Sequence, residues 1–438
     1  MFANIGMVEL SIILLGFMIV VLAGGVWIAV TLGLVGLVAM ALTTSVPIGS
    51  VLATTTWSAS ASWTLAALPL FIWMGEILFR TRLSEQMFRG LSPWLQWLPG
   101  RLIHVNVVGC GIFAAVSGSS AATCATIGKI ALPELEKRGY DRDMSLGSLA
   151  GSGTLGLLIP PSIPMVVYAV TANVSVLQVF LGGFLPGFLV MALYSGYIAL
   201  WSMLNPEKTP PRDPPIPFGQ KLRESANLAP CLLLILAVFF SLMLGLATAT
   251  ECAAWGVAGA LLLAWWSGTL NRKAFFESVM SATRLTCMIM LILAGAAYTT
   301  AAMAYTGIPA ALAEWVKGQN LTPGLLATYL SIMYIILGCL IDGISMIVLT
   351  AVIVLPMVKQ AGLDLVWFGV YLVIHVEMAQ ITPPVGFNLF VLQNMSGRDT
   401  FTVARAAFPF FILLLAAVFI ITEFPQIVLF LPKLAFPD

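Results

Sequence analysis

Residues 130–169 read IALPELEKRGYDRDMSLGSLAGSGTLGLLIPPSIPMVVYA, and residues 353–392 read IVLPMVKQAGLDLVWFGVYLVIHVEMAQITPPVGFNLFVL. The two stretches align at an offset of 223 positions, the distance from Pro133 to Pro356. In that register Pro133, Pro160, Pro161 and Pro186 fall on Pro356, Pro383, Pro384 and Pro409, while Gly139 and Asp141 fall on Gly362 and Asp364. So many coincidences at one offset indicate that the chain contains a duplicated unit.

The composition places this unit in a membrane. Of 438 residues, 60% are hydrophobic and 9% are charged, and the mean hydropathy is +1.00. Soluble domains have a charged share nearer a quarter, so we expect an all-α, polytopic membrane protein. The net charge of +1 gives no sign of a nucleic-acid partner. Six isolated cysteines and two separated histidines predict neither a redox pair nor a transition-metal site.

Apolar runs long enough to span a bilayer are frequent. They cover about 5–22, 25–44, 60–79, 144–170, 177–203, 226–247, 251–269, 281–304, 365–394 and 406–431. Two further apolar regions, 101–136 and 322–358, are interrupted near their middles by SGSSAAT at 117–123 and by DGIS at 342–345. Each is predicted to form two short helices that meet at a tip, as in a re-entrant hairpin.

The distribution of Lys and Arg predicts the orientation. If each hairpin enters and leaves on one side, segments 80–101, 129–143, 204–223, 271–284 and 398–405 share a face. These segments hold 17 of the 20 basic residues, and only Lys317, Lys359 and Lys433 lie opposite. By the positive-inside rule the rich face is cytoplasmic, so both termini are predicted to be periplasmic. The same count gives the two duplicated units inverted topologies.

The predicted organisation is therefore two inverted repeats and a linker. The first repeat spans 1–204, with hairpin 101–136 and broken helix 144–170. The second spans 221–438, with hairpin 322–358 and broken helix 365–394. The proline-rich segment 205–220 links them on the cytoplasmic side. Amphipathic stretches at 83–97 and 308–317 precede the two hairpins and suit helices at the membrane interface.

The first tip concentrates hydroxyl groups and small residues. Unwound backbone at Ser117, Gly118, Ser119 and Ser120 would expose carbonyl groups to a hard cation such as Na⁺, and the following helix N-terminus would offer N–H groups to a carboxylate. The alternative is close packing of small residues between helices. Proline-interrupted segments repeated in two halves are a good sequence indication of a transporter binding site, which favours the ligand interpretation.

In each half, the helix that follows the hairpin is predicted to be broken, and the break is predicted to lie next to the tip. Gly151, Ser152, Gly153 and Thr154 precede the Pro160–Pro161 pair, and Ala379 to Thr382 precede the Pro383–Pro384 pair. Two adjacent prolines remove donors and cannot stay within one regular helix. A proline kink without a ligand is the alternative.

Asp342 distinguishes the second tip from the first, where Ser119 occupies the same register position. A carboxylate at that depth costs about 3 kcal/mol unless it faces a cavity or a partner. It is therefore a functional candidate, with a helix cap for Gly343 to Ser345 as the alternative. The roles of Glu76, Glu251, His375 and Glu377 stay open, although Glu251 suits a cap or a packing contact and His375 and Glu377 point to different helix faces.

The chain shows no catalytic signature. No nucleophile–base pairing, P-loop, dinucleotide motif or HExxH is present, so neither catalytic residues nor a cofactor is predicted. Transport would have to be driven by an ion gradient or by another subunit.

The chain resembles the large membrane subunit of TRAP transporters, the tripartite ATP-independent periplasmic systems within the ion transporter superfamily. The resemblance covers essentially the whole length. It is carried by AAVSGSSAATCATIGK joined to the stretch quoted first, by GLATATECAAWG at 245–256, TGIPAALAEW at 306–315, DGISMIVLTAVIVLPM at 342–357 and ITPPVGFNLFVL at 381–392. Trp27 departs from the pattern, since relatives often have proline there.

The resemblance implies an elevator-type transporter in the bacterial inner membrane. It implies a small four-span membrane subunit, a periplasmic substrate-binding protein that delivers an organic acid, and Na⁺ as the coupling ion. By motif match, the first Na⁺ site would comprise Ser117, Gly118, Ser119, Ser120, Gly151, Gly153 and Thr154. The second would comprise Asp342, Gly343, Ser345, Ala379 and Thr382, and the organic anion would lie near Ser117, Ser162, Asp342 and Asn388.

Three other functions compete with this interpretation. A stand-alone transporter of the same superfamily would need no binding protein. A passive channel or scaffold would show no Na⁺ dependence and would tolerate loss of Asp342. An intramembrane enzyme is the most distant, for lack of paired catalytic groups. The sequence does not identify the organic acid.

Overall fold

A computed structural model describes residues 6–61, 63–80, 90–211, 217–319 and 322–436, and these ranges contain helices and no strand. The first half contains α1 (Met7–Ala23), α2 (Ile28–Thr43), α3 (Ile48–Ser60), α4 (Ala67–Phe79), α5 (Ile103–Ser117), α6 (Ser120–Lys137), α7 (Arg142–Leu158), α8 (Ile163–Ala172) and α9 (Val176–Leu204). The second half contains α10 (Phe218–Ser225), α11 (Ala229–Met243), α12 (Ala249–Trp266), α13 (Arg272–Thr306), α14 (Ile308–Gly318), α15 (Pro323–Gly338), α16 (Gly343–Gln360), α17 (Leu365–Gln380), α18 (Phe387–Ser396), α19 (Thr400–Glu423) and α20 (Gln426–Ala435).

The predicted all-α membrane architecture is confirmed. Within the described ranges four helices, α9, α13, α16 and α19, are long and apolar enough to cross a bilayer alone. Helices α7 and α8 qualify together and are bent by 41° at their junction. Several shorter apolar helices accompany them. The inverted course of the repeats across the membrane stays a prediction.

Two predicted spans are wrong in their bounds. The run 406–431 covers the end of α19, at Glu423, and the start of α20, at Gln426. The run 60–79 is not one helix: α3 ends at Ser60, a 3₁₀ turn covers Trp63–Ala66, and α4 begins only at Ala67. The sequence SVPIGSVLATTTWSAS hides α3 because its Thr and Ser residues dilute the apolar signal. No residue of α3 is buried, so this helix lies on the outside of the bundle.

The residues that coincide at the offset of 223 occupy matching places in the fold. Pro133 and Pro356 lie inside α6 and α16, and Pro186 and Pro409 lie inside α9 and α19. The peptide bonds Pro160–Pro161 and Pro383–Pro384 are both cis. Gly139 and Gly362 both have a positive φ, of 78° and 73°. Asp141 and Asp364 cap the N-termini of α7 and α17; Asp141 accepts from the backbone N–H of Met144, and Asp364 from those of Val366 and Trp367.

The two halves pack against each other crosswise. Helix α6 of the first half contacts α18 of the second, and α16 of the second contacts α8 of the first. The early helices follow the same rule, with α2 against α13 and α12 against α4. Each contact is the offset counterpart of another, so the hairpins and broken helices of both halves form one interlocked core.

Close approach between the halves depends on glycine at Gly369 of α17. A Cβ there would lie 2.3 Å from the Tyr168 ring of α8. The Tyr168 hydroxyl donates to the Leu365 carbonyl at 2.6 Å, and the ring is buried. The bare Cα lets α8 and α17 touch, which brings the two broken helices together in the protein centre.

The linker and the interfacial stretches are described in part. Residues 212–216 of the predicted linker and 81–89 of the first amphipathic stretch lie outside the described residues. Residues 90–95 are helical, and the stretch 308–317 forms α14. Trp94 Nε1 donates to Ser225 Oγ at 2.6 Å, which ties the first amphipathic stretch to α10 at the start of the second half.

Gly147→Ala should destabilise the protein strongly. A Cβ at Gly147 of α7 would lie 2.1 Å from the backbone oxygen of Ala406 in α19, and backbone cannot move aside as a flexible side chain can. Overpacking of this kind costs about 1–3 kcal/mol. The measurement is the thermal melting temperature of the detergent-solubilised protein.

The matched control is Gly196→Ala in α9, where nothing lies within 4 Å of the added Cβ. Alanine is a better helix former than glycine by about 1 kcal/mol, so this variant should melt at the wild-type temperature or slightly above it. Equal melting temperatures for the two variants would contradict the packing described for Gly147.

Candidate ion and substrate site

The first tip is a tight turn between α5 and α6. Gly118 takes the left-handed conformation with φ 56°, and Ser119 is the N-cap of α6. The Ser117 hydroxyl lies 2.6 Å from Thr123 Oγ1, and Thr123 donates to the Ser119 carbonyl oxygen at 2.8 Å. Three oxygen atoms from Ser117, Ser119 and Thr123 are thus grouped within a few residues, and such oxygens are the ligands that hard cations take.

The first break begins later than predicted. Residues 151–156 are helical, α7 runs to Leu158, and the irregular backbone covers 159–162. The prediction that unwinding starts at Gly151 is therefore wrong. Glycines only weaken a helix, by about 1 kcal/mol each, whereas the Pro160–Pro161 pair removes two donors outright.

The glycines of α7 serve close packing. A Cβ at Gly151 would lie 2.6 Å from Phe410, and one at Gly153 would lie 2.7 Å from Cys124. A Cβ at Gly156 would lie 2.6 Å from the Ser119 carbonyl oxygen. The small residues let α6, α7 and α19 approach, and Gly156 lies directly beneath the first tip.

The first tip and the first break are in direct contact. A Cβ at Gly118 would lie 3.0 Å from the Pro161 carbonyl oxygen. Ser162 is buried, precedes α8 at the N-cap position and donates its hydroxyl to the Leu157 carbonyl instead of capping the helix. The tip therefore adjoins a stretch of backbone whose carbonyl groups are not all held by helix hydrogen bonds.

The second tip is built around Asp342. Its carboxylate accepts from the backbone N–H groups of Ile344 and Ser345, at 3.1 and 3.2 Å, and from the Ser345 hydroxyl. Asp342 is thus the N-cap of α16, at the register position where Ser119 caps α6. Asp342 is therefore a helix cap, the alternative that the sequence left open. The capping hydrogen bonds also hold its half-buried carboxylate at the tip, next to buried Ser345.

The second tip packs on the second broken helix. A Cβ at Gly343 would lie 2.0 Å from Val376 Cγ1, and one at Gly338 would lie 2.8 Å from Ala379 Cβ, both in α17. This break, too, begins later than predicted. Ala379 lies within α17, which ends at Gln380, and the irregular backbone starts at Ile381. Thr382 lies in the break and donates to the Met378 carbonyl at 2.6 Å.

Asn388 joins the two halves. Its Oδ1 accepts from the Ser120 hydroxyl at 2.9 Å, and its Nδ2 donates to the Ala150 carbonyl at 3.1 Å. The side chain is 0% exposed. In this conformation Asn388 braces α6 and α7 against α18, so a contact with substrate would require these bonds to open.

The structure brings together some predicted site residues and not others. Ser120 is joined to Asn388, Ser117 to Ser119, and Asp342 to Ser345. Among the residues described here, no hydrogen bond connects Ser117, Ser162 and Asp342. Thr123 is absent from the predicted site but is hydrogen-bonded to Ser117 and Ser119 at the first tip. Its position four residues after Ser119 could have indicated this, because such residues share a helix face.

In each half a hairpin tip packs on the break of a helix, and the two halves interlock. This fold is similar to that of a solved structure, the YdaH transporter of Alcanivorax borkumensis, and the likeness concerns the fold alone. The TM-score is 0.68 at 12% sequence identity, with 92% of this chain and 98% of that chain covered.

The family follows from the sequence comparison. Residues 15–427 match the family described as tripartite ATP-independent periplasmic transporter, DctM component, and the chain belongs to that family. One relative, the C4-dicarboxylate TRAP transporter large permease protein DctM of Pseudomonas aeruginosa, is 31% identical over 85% of this chain and 87% of its own. Another, the isethionate TRAP transporter permease protein DctMQ of Oleidesulfovibrio alaskensis, is 29% identical over 95% of this chain and 66% of its own.

Proposed function

We propose that this chain is the transporting subunit of a Na⁺-coupled uptake system for a small organic acid in a bacterial inner membrane. The observation that carries the proposal is that in both halves the tip of a hairpin packs against a broken helix. Oxygen atoms gather at the first tip, and a carboxylate takes the equivalent place at the second. This arrangement supports the proposal of two similar cation sites that differ by one carboxylate.

The proposed first Na⁺ site uses the Ser117 and Thr123 hydroxyls and the Ser119 carbonyl, with the first break at 159–162 beside them. The proposed second site uses Asp342, Ser345 and the break that begins at Ile381. The N-termini of α6 and α16 lie at the two tips, and the N–H groups there that the caps leave free favour an anion. A substrate carboxylate would therefore bind between the two tips, opposite the two cations.

The names of the relatives support an organic anion as substrate. One is a C4-dicarboxylate permease and another an isethionate permease, and both of these substrates are small acids. We favour a small carboxylate, because hydroxyl groups and a helix N-terminus lie at each tip, and such groups bind a carboxylate.

The proposed motion is that of an elevator. The hairpins and broken helices would move as one body, because α6, α7, α8, α16, α17 and α18 interlock across the halves. Helices α2, α4, α12 and α13 pair with one another and would form the static scaffold. Both termini would be periplasmic, as the basic-residue count predicts.

A small membrane subunit and a periplasmic binding protein would complete the system. The family description calls the system tripartite. The relative named DctMQ is longer than this chain, which suits a protein in which a second membrane subunit is joined to the permease. The experiment is reconstitution of this chain in liposomes with and without those two components. Uptake should require both, and uptake by the chain alone would favour a stand-alone transporter instead.

A further inference from the structure

Glu377 is a buried carboxylate without a partner. It lies on α17, its side chain is 0% exposed, and neither Oε1 nor Oε2 has a hydrogen-bond partner in the described structure. It makes none of the described ion pairs. A charge removed from water in this way is very costly unless a compensating charge lies against it.

Helices α7, α9 and α17 contact one another around this carboxylate. Its neighbours are Leu158, at the end of α7, and Tyr194 of α9. The Tyr194 hydroxyl is buried and has no hydrogen-bond partner among the described residues either. Thr154 of α7 lies beside that hydroxyl, and its own oxygen, which donates to the Gly151 carbonyl at 2.7 Å, keeps lone pairs free.

The position is the crossing point of the two broken helices. Helix α17 contacts α7, and the offset of 223 places Glu377 on Thr154. Both residues neighbour Tyr194 of α9. A carboxylate of the second half and a hydroxyl of the first half therefore lie in one buried region between α7, α9 and α17.

This cluster is separate from the two tip sites. Val376 and Ala379 of α17 face the second hairpin, at Gly343 and Gly338. Gly156 of α7 faces the first tip. At about 100° per residue, Glu377 lies roughly 200° from Ala379 and Thr154 lies roughly 200° from Gly156, so both side chains point away from the tips.

We infer that Glu377, Thr154 and Tyr194 form a third Na⁺ site at the crossing of the two broken helices. The carboxylate supplies the compensating charge, and the hydroxyl and phenol oxygens complete an all-oxygen ligand set of the kind hard cations require. The site couples the two halves directly, because its ligands come from α7, α9 and α17. The inference rests on the Na⁺ coupling proposed above.

The test counts Na⁺ ions per substrate. Initial rates of ²²Na⁺ and radiolabelled C4-dicarboxylate uptake are compared in liposomes that contain the complete complex. Glu377→Gln should lower the Na⁺-to-substrate ratio by one and reduce the Na⁺ Hill coefficient. Glu314→Gln, which neutralises an exposed carboxylate on α14, should leave both unchanged.

A second variant guards against misfolding of the first. Tyr194→Phe keeps the ring, which packs edge-on against Phe410, and removes only the hydroxyl. It should raise the Na⁺ concentration for half-maximal uptake several-fold without loss of melting temperature.

The outcomes separate this inference from the proposed function. If wild-type uptake depends on Na⁺ while Glu377→Gln keeps the wild-type ratio, or Tyr194→Phe keeps the wild-type Na⁺ dependence, the third site is overturned and the two tip sites stand. A loss of co-transported protons from Glu377→Gln at an unchanged Na⁺ ratio overturns it as well. Wild-type uptake that is independent of Na⁺ overturns both proposals.

Discussion

Asp342→Asn is expected to reduce Na⁺-driven uptake by roughly 10- to 100-fold, since hydrogen bonds and ion contacts of a charged group are worth about 1.5–3 kcal/mol. Asparagine is as good an N-cap as aspartate, so the start of α16 should stay intact. What the substitution removes is the negative charge at the second tip. The measurement is the initial rate of uptake as a function of Na⁺ concentration in the reconstituted complex.

Asp364→Asn is the matched control. Asp364 caps α17 in the same half of the protein, accepting from Val366 and Trp367 at 2.7 and 3.0 Å, and it lies away from both tips. If Asp342 is only a cap, the two variants should behave alike. Near-normal uptake by Asp342→Asn, with unchanged Na⁺ dependence, would remove the second Na⁺ site from the proposal.

Gly156→Ala, in the first half of the protein, should reduce Na⁺-driven uptake by a factor similar to that of Asp342→Asn. Its Cβ would lie 2.6 Å from the Ser119 carbonyl oxygen and 2.7 Å from Thr123 Oγ1, so the first tip must shift by about 1 Å to reach ordinary contact. A misplacement of about 1 Å can cost on the order of 100-fold in a positioned site. The readout is the Na⁺ concentration for half-maximal uptake, which should rise.

The control for Gly156→Ala is Gly324→Ala, in α15 of the second hairpin, where nothing lies within 4 Å of the added Cβ. That variant should match wild type. Uptake by Gly156→Ala at wild-type Na⁺ dependence would mean that the oxygens of the first tip do not bind the ion.

The sequence predicted the large features of the fold because prolines and N-cap residues end or begin helices whatever surrounds them, and because the apolar composition alone indicates a membrane protein. Pro160–Pro161 and Pro383–Pro384 end helices wherever they stand, and Ser119 and Asp342 are good N-caps in any context. The all-α membrane class and the positions of the tips were therefore accessible from the sequence alone.

The errors of the prediction lie where tertiary packing decides. Gly151 and Gly153 suggested unwinding, but their partners Phe410 and Cys124 are distant in sequence and hold α7 as a helix. The assignment of Asn388 to substrate stays a prediction, but its hydrogen bonds to Ser120 and Ala150 depend on contacts between the halves that the sequence does not show. Glu377 could be flagged as an intramembrane acid, but only the crossing of α7 and α17 shows what it faces.

The central claim is that this permease couples organic-acid uptake to Na⁺ through its two tips. Its most direct test is the initial rate of C4-dicarboxylate uptake by the reconstituted complex, measured with an inward Na⁺ gradient and with equal Na⁺ on both sides. We predict accumulation against the substrate gradient only when the Na⁺ gradient is present, together with ²²Na⁺ entry that is lost when the substrate is omitted. Accumulation that continues without a Na⁺ gradient would contradict the account.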